Sequence, residues 1–114
     1  MKNRDPVYVQ RIIEYCIKIE DILSGIDYDY DVFITNDIYQ LSCSMCVLQI
    51  GENVAKLSDE FKEANEGIHW RKIKGLRNIA AHQYEHVEFI VLWNTLVNNI
   101  PELKADLIML MDKQ

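Results

Sequence analysis

Apolar residues recur at helical spacing along most of the chain, and this periodicity restricts the possible folds more than any other feature. The first run follows Asp5 and Pro6, an N-cap residue and a proline suited to the first helical turn, and it stops at Gly25. We therefore predict a first helix over about residues 6–24. Its apolar positions are Val9, Ile12, Ile13, Cys16, Ile17, Ile19, Ile22 and Leu23. Nowhere in the sequence do apolar and polar residues alternate in the manner of a half-buried strand.

The remaining segments continue the helical pattern. They are a turn over residues 27–31 with a short helical piece through Phe33, a long helix over about 37–64, a third helix from Trp70 to about His86, a fourth over about 88–98 and a last helix after a break at 98–101. Short connections make successive helices antiparallel neighbours. The sequence therefore predicts an all-α fold: an up-and-down antiparallel bundle of four to five helices in a single domain, residues 1–114.

The long second helix carries two adjacent apolar stripes. One consists of Ile38, Leu41, Met45 and Leu48, and the other of Cys46, Ile50, Val54, Leu57 and Phe61. A band this wide suggests burial on more than one side of the helix. One stripe can face a second subunit, or both can lie inside an intramolecular bundle, and the pattern favours neither arrangement.

Size and composition fit one soluble globular domain. The chain has 114 residues, of which 49% are hydrophobic and 26% charged. No apolar run approaches the ~20 residues that span a bilayer, and the first residues do not resemble a signal peptide, so we expect a cytoplasmic protein without membrane contact. Three cysteines, an odd number, indicate a reducing compartment. Cys43 and Cys46 form a CxxC pattern, which we interpret as small buried hydrophobic residues.

Charge is unevenly distributed along the chain. A net charge of −6 argues against a general nucleic-acid coat protein. Between Lys62 and Arg77, however, five basic and two acidic residues give a local charge of +3. Arg71, Lys72 and Lys74 are therefore candidates for binding RNA phosphates, although a solvated helix face explains them equally well.

An eight-residue stretch, 77–84, combines a permanent cation, an imidazole and a phenol: Arg77, His82 and Tyr84. Arginine matches phosphate oxygens with a rigid fork of donors, and histidine can take and return a proton near neutral pH. Such chemistry needs no metal. On one unbroken helix Arg77 and His82 point about 140° apart, so a single helix does not wrap both around one phosphate. A second copy packed across a two-fold axis can bring both groups to it.

The segment 48–103 resembles the HEPN superfamily, and within it the HepT-like toxins. The family motif is Arg-x4-His-x-Tyr, which Arg77, His82 and Tyr84 match, with a polar Asn78 after the arginine. Flanking matches are Ile50-Gly51-Glu52, Lys56-Leu57-Ser58, the lead-in from Trp70 to Gly75, Trp93-Asn94-Thr95 and Leu103. Gln83 departs from the family, which often has an acidic residue there.

The resemblance implies a small, metal-independent endoribonuclease toxin without a cofactor, whose cleft lies at a homodimer interface. It implies an RNA substrate, tRNA or mRNA, and a cognate MntA-type nucleotidyltransferase antitoxin that attaches AMP to the motif tyrosine, here Tyr84. We therefore hypothesise that His82 is the general base that takes the proton of a ribose 2′-hydroxyl. Arg77 stabilises the phosphate, and Asn78 orients the phosphate or the imidazole.

Other interpretations stay open from the sequence. Tyr84 can be a core aromatic or a stacking platform for RNA, and His69 fits a capping or exposed position. His86 follows His82 at a spacing that can bind metal, but no carboxylate-rich set accompanies it, and we predict no metal site. Glu52 can be a buried polar contact near the motif. The chain can also be a non-catalytic helical adaptor or nucleotide-binding partner of a minimal nucleotidyltransferase, or a plain dimerisation bundle.

Overall fold

The computed structural model describes residues 3–81 and 89–112, and every regular element within these ranges is helical. The elements are α1 (Asp5–Gly25), α2 (Tyr30–Ile34), α3 (Asp37–Lys56), α4 (Asp59–Ala64), α5 (Trp70–Lys74), α6 (Leu76–Ala81), α7 (Phe89–Asn94), a π-helical turn (Thr95–Asn99) and α8 (Ile100–Asp112). Within these ranges the elements group into four longer helical segments, α1, α3–α4, α5–α6 and α7–α8, and the short α2. The all-α prediction is confirmed. Within the described ranges, no helix has the length and apolar character that crossing a membrane requires.

Side-chain contacts between distant residues show that neighbouring long helices run antiparallel. Asp5, at the start of α1, accepts a hydrogen bond from the backbone N–H of Ser58, just beyond the end of α3. Lys104, near the start of α8, pairs with Glu20, near the end of α1, at 2.6 Å. Both contacts join the beginning of one helix to the end of another, as in the predicted up-and-down bundle.

The core lies mainly between α1, α3 and the last helical segment. Its fully buried members include Ile12, Ile19, Phe33, Val47, Ile50, Val54, Leu92, Leu96, Ile100 and Leu107. All three cysteines are buried and unpaired, which confirms the interpretation of the CxxC pattern. Burial raises the pKa of the Cys16 and Cys43 thiols to about 12 and shifts that of Cys46 in the same direction.

The predicted long helix over 37–64 is interrupted, and this part of the prediction was wrong. Leu57 takes an extended conformation, with φ −65° and ψ 144°, and Ser58 caps α4 by accepting from the backbone N–H of Phe61. The Ser58 hydroxyl also donates to the Asp5 carboxylate at 2.6 Å. Asp5 is therefore not the N-cap of α1, a position that Arg4 occupies, but a buried acceptor that fixes the α3–α4 break.

The break predicted at residues 98–101 was also wrong, because the chain stays helical through this region. A π-helical turn takes its place, in which the backbone N–H of Ile100 donates to the carbonyl of Thr95. Pro101 has no N–H, so it cannot complete a regular hydrogen-bond ladder across this point. A turn of the wider π type accommodates the proline while the helix axis continues into α8.

The connection between α1 and α3 includes the short helix that the sequence predicted. The helix α1 ends at Gly25, but the left-handed residues that turn the chain are Asp27 and Tyr28, both with φ 54°. Asp29 then caps α2 by accepting from the backbone N–H of Val32. Aromatic packing of α2 against Trp93 joins this connection to α7.

Candidate active site

The segment α5–α6 is held in place by Trp70, its first residue, and by Leu76, which follows Gly75. The indole Nε1 of Trp70 donates to the carbonyls of Lys62 and Asn65, at 3.2 and 3.0 Å, which fixes the start of α5 against α4. Gly75 separates α5 from α6, and Leu76 is buried in the core directly after it. These contacts place the first turn of α6, which carries the start of the sequence motif, against α3.

Arg77 lies across α3 and is paired there with an acidic side chain. Its Nε atom is 2.9 Å from Oε1 of Glu52, and the two side chains are 37% and 40% exposed. The guanidinium also carries two Nη amino groups, which are the donors that bind phosphate oxygens in a fork. The pairing with Glu52 therefore orients an arginine that is exposed enough to meet a ligand.

Gly51 makes this close approach possible. It is buried in α3, and a Cβ atom built there would lie 2.2 Å from Cγ and 3.1 Å from Cδ of Arg77. No real contact between carbon atoms is so short. Any larger residue at this position would displace the arginine side chain at its base. The glycine is therefore needed for the close packing of α3 against the Arg77 side chain, and its backbone conformation is not left-handed.

Arg77 opens onto a cavity of about 480 Å³, which we call the arginine groove. It is lined by Leu48, Glu52, Arg71, Lys74, Gly75, Arg77 and Asn78. Three basic side chains and one acidic side chain give this groove a net charge of +2, in a chain whose net charge is −6. Locally concentrated positive charge attracts a polyanion more effectively than the overall charge suggests. The groove is chemically suited to a phosphodiester.

Comparison with known protein families identifies the family of this chain. The model of the ribonuclease HepT-like family matches residues 12–110, nearly the whole chain. The chain belongs to the HepT-like ribonuclease family. Similar proteins include a candidate RNase of Methanocaldococcus jannaschii, 31% identical over 93% of this chain and 90% of the relative, and a probable ribonuclease HepT of Thermococcus cleftensis, 29% identical over 92% and 94%. A candidate RNase of Caldanaerobacter subterraneus is 27% identical over 100% of this chain and 99% of its own length. No solved structure matches the chain significantly.

The structure brings four of the predicted site residues of this HepT-like chain into one place. Arg77, Asn78, Arg71 and Lys74 all line the arginine groove. Lys72, predicted with them, does not. It lines a different cavity of about 510 Å³, on the side of α5 that faces α8.

Helix geometry explains why Lys72 does not line the arginine groove. On α5, residues three apart in sequence share a face, as Arg71 and Lys74 do, whereas Lys72 points about 100° away from Arg71. Its cavity also contains the carboxylates of Glu102 and Asp106, which offset its charge. Lys72 and Arg71 also line a further cavity together, of about 690 Å³. Phosphate binding by Lys72 therefore stays a prediction, although Lys72 lies outside the arginine groove.

Several predicted residues lie outside the described part of the chain. These are His82, Gln83, Tyr84 and His86. The roles predicted for them stay predictions. Within the described ranges, no group of three or more His, Cys, Asp or Glu side chains is arranged to hold a metal ion. His69 occupies the N-cap position of α5 without a capping hydrogen bond and is exposed, so exposure, not capping, describes it.

Sequence reasoning placed Glu52 near the motif as a buried polar contact, whereas its side chain is 40% exposed, and it missed the role of Gly51. Both belong to the flanking block that resembles the family, but neither spacing nor charge assigned them a partner. Their signal is tertiary: the glycine permits contact with a side chain 26 residues later, and the glutamate pairs with the same side chain 25 residues later. The clue in the sequence was a small residue followed by an acidic one, within a block that resembles the family.

Proposed function

We propose that the protein is a metal-independent endoribonuclease toxin that cleaves RNA at a site built from Arg77, Asn78 and His82. Family membership supports a ribonuclease. The observation that carries the proposal is the geometry of Arg77: it is paired with Glu52, seated on Gly51, and open to a basic groove. A structural salt bridge alone would not require two further cations in the same groove.

In this mechanism the ribose 2′-hydroxyl is the nucleophile. His82 takes its proton, the 2′-oxygen attacks the adjacent phosphorus, and the bond from phosphorus to the 5′-oxygen breaks with protonation of that oxygen. The products are a 2′,3′-cyclic phosphate and a free 5′-hydroxyl. Arg77 stabilises the charge that develops on the phosphoryl oxygens, and Asn78 orients the phosphate or the imidazole. Arg71 and Lys74 bind neighbouring phosphates, as their place in the groove allows.

The active site is proposed to form between two copies of the chain. One apolar stripe of α3 supports this, because Ile38, Leu41 and Met45 are 67%, 41% and 55% exposed. Leu48, next along the same stripe, lines the arginine groove. Exposed apolar residues at helical spacing are typical of an interface. A two-fold contact along this stripe would bring both arginine grooves to the same edge of the dimer.

Regulation is proposed to act on Tyr84 through an MntA-type nucleotidyltransferase antitoxin. The tyrosine oxygen would attack the α-phosphate of ATP, pyrophosphate would leave, and AMP would remain attached to the side chain. A negative phosphate and a bulky base beside the arginine groove would then repel and obstruct RNA. Mass spectrometry of protein co-expressed with the antitoxin tests this. An AMP adduct on Tyr84 is expected, and full silencing of the toxin by the antitoxin in a Tyr84→Phe variant would contradict it.

The nuclease proposal is tested with purified protein and a labelled single-stranded RNA. Wild-type protein is expected to cleave in the presence of EDTA and to leave cyclic phosphate and 5′-hydroxyl ends, whereas DNA of the same sequence stays intact. Arg77→Ala and His82→Ala should each reduce cleavage at least about 100-fold. Lys62→Ala is the control, because this cation lies outside the arginine groove. Full cleavage by His82→Ala, or an absolute need for a divalent ion, would overturn the mechanism.

A further inference from the structure

A second basic groove lies on the other side of α3, between α1 and α3. It has a volume of about 380 Å³ and is lined by Arg11, Glu14, Tyr15, Lys18, Gln49, Asn53 and Lys56. Three basic side chains and one acidic side chain give it a net charge of +2, equal to that of the arginine groove. We call it the α1–α3 groove. Neither the sequence motif nor the proposed mechanism uses any of its residues.

The basic side chains of this groove are not neutralised by ion pairs with described carboxylates. Arg11, Lys18 and Lys56 are exposed, and none of them forms an ion pair with a described carboxylate. Arg11 and Lys56 instead lie 5.9 and 5.8 Å from the ring centre of Tyr8, where Arg4 joins them at 5.8 Å. Four of the twelve basic residues in the chain therefore gather along one edge of the molecule. Like charges repel, and such a cluster is relieved by an anion.

A buried polar atom in the same groove has no partner. Asn53 is 3% exposed, and its Nδ2 donates to the carbonyl of Gln49 at 2.8 Å, which fixes the orientation of the amide. Its Oδ1 accepts no hydrogen bond from any described residue. A buried acceptor without a hydrogen bond destabilises the folded protein, so a ligand that brings a donor is favoured. Anion binding by the cations and hydrogen-bond donation to Asn53 together describe a ligand with phosphates and hydroxyl groups.

We propose that the α1–α3 groove is a second binding site for the backbone of single-stranded RNA. This inference rests on the proposed function, since it assumes that RNA is the ligand of the protein. Arg11 and Lys18 are seven residues apart on one face of α1, about 10 Å along the helix, and contact different phosphates of the strand. A ribose 2′-hydroxyl donates to Asn53, and the half-buried ring of Tyr15 offers a surface for base stacking.

The two grooves flank the same helix, so one RNA strand can occupy both. Leu48 and Glu52 face the arginine groove, whereas Gln49 and Asn53, each one residue later, face the α1–α3 groove. A strand bound at Arg77 can pass over α3 beyond residue 48, where the exposed apolar stripe ends, and continue along α1. The second groove thus lengthens the bound segment beyond the scissile linkage without taking part in the chemistry. This arrangement lets an acidic protein hold a polyanion.

The test measures RNA binding by fluorescence anisotropy, in a His82→Ala background that keeps the RNA intact. Arg11→Glu with Lys18→Glu is compared with Lys62→Glu, a charge reversal outside both grooves. The double variant is expected to bind on the order of tenfold more weakly, and the slope of log affinity against log salt should become less steep by about 1.4, for two lost phosphate contacts. Lys62→Glu should have a smaller effect on both quantities, because Lys62 lines neither groove. Circular dichroism verifies that each variant is folded.

A second measurement compares RNA with DNA of the same sequence. Wild-type protein is expected to prefer RNA, and Asn53→Leu should remove at least part of this preference because the amide acceptor is lost. Equal affinity and salt slope for the double variant and Lys62→Glu would overturn the second site, while Arg77-dependent cleavage by the wild type would leave the proposed function intact. If the wild-type protein neither binds nor cleaves RNA, both proposals fail. Unchanged preference in Asn53→Leu would overturn the 2′-hydroxyl contact.

Discussion

Replacing Gly51 by alanine tests directly whether the position of Arg77 determines activity. The added methyl group would lie 2.2 Å from Cγ of Arg77, whereas ordinary contacts of this kind begin at 3.4 Å. The arginine must therefore move by at least about 1.2 Å, the difference between these two distances. A misplacement of about 1 Å can cost on the order of 100-fold in rate. We expect kcat/KM for RNA cleavage to fall by about that factor.

The expected effect on stability is much smaller. Overpacking costs about 1–3 kcal/mol, but alanine gains about 1 kcal/mol over glycine inside a helix. Urea denaturation of Gly51→Ala should therefore show a loss of no more than about 2 kcal/mol. Gly25→Ala is the matched control, because a Cβ atom there meets nothing within 4 Å and the residue has no left-handed conformation. Undiminished cleavage by a folded Gly51→Ala protein would refute the role assigned to Arg77.

Three further predictions concern charge, a tertiary hydrogen bond and thiol chemistry. Glu52→Gln should reduce kcat/KM several-fold in the RNA cleavage assay while stability changes by less than about 1 kcal/mol, since its pair with Arg77 is partly exposed; unchanged kinetics would exclude a positioning role. Asp5→Ala should lower the free energy of unfolding by about 2–3 kcal/mol in urea titrations, because two hydrogen bonds to a buried carboxylate are lost, and exposed Asp21→Ala should have little effect. Because burial raises the pKa of two cysteine thiols to about 12, they stay protonated at pH 8. Iodoacetamide followed by mass spectrometry should modify the three cysteines only after unfolding, and rapid native labelling would contradict their burial.

Local sequence signals predicted the helical elements where they were strong. The first helix was predicted over 6–24 and extends over Asp5–Gly25, because its apolar residues follow the helical period for about four turns. Burial of the cysteines followed from the same period. The break predicted at 98–101 was replaced by a local π-helical turn, whereas the other error occurred where a residue took a distant partner. Ser58 looks like one more polar residue within a long helix until Asp5, 53 residues earlier, binds it and stabilises the break.

The candidate site divides in the same way. The residue types in the motif predicted phosphate chemistry, and the concentration of positive charge predicted where a phosphate would be attracted. The prediction grouped Arg71, Lys72 and Lys74 because they are close in sequence, but the rotation along α5 places only Arg71 and Lys74 in the arginine groove. Residues that are close in sequence can lie on different faces of a helix. Only the docking of the helix against its neighbours decides which of these faces lines the groove.

By itself, the sequence determined that this chain is helical and that its apolar residues form an internal core, and it predicted phosphate chemistry from an arginine and a histidine five residues apart. These properties depend on spacing and on residue chemistry, which act over a few residues. Only the tertiary structure decided that Arg77 rests on Gly51 beside Glu52, and that Asn53 faces a second basic groove on the other side of α3. Those relations depend on how helices distant in sequence dock, because side-chain contacts and the direction of each helix face are fixed only when the core is packed.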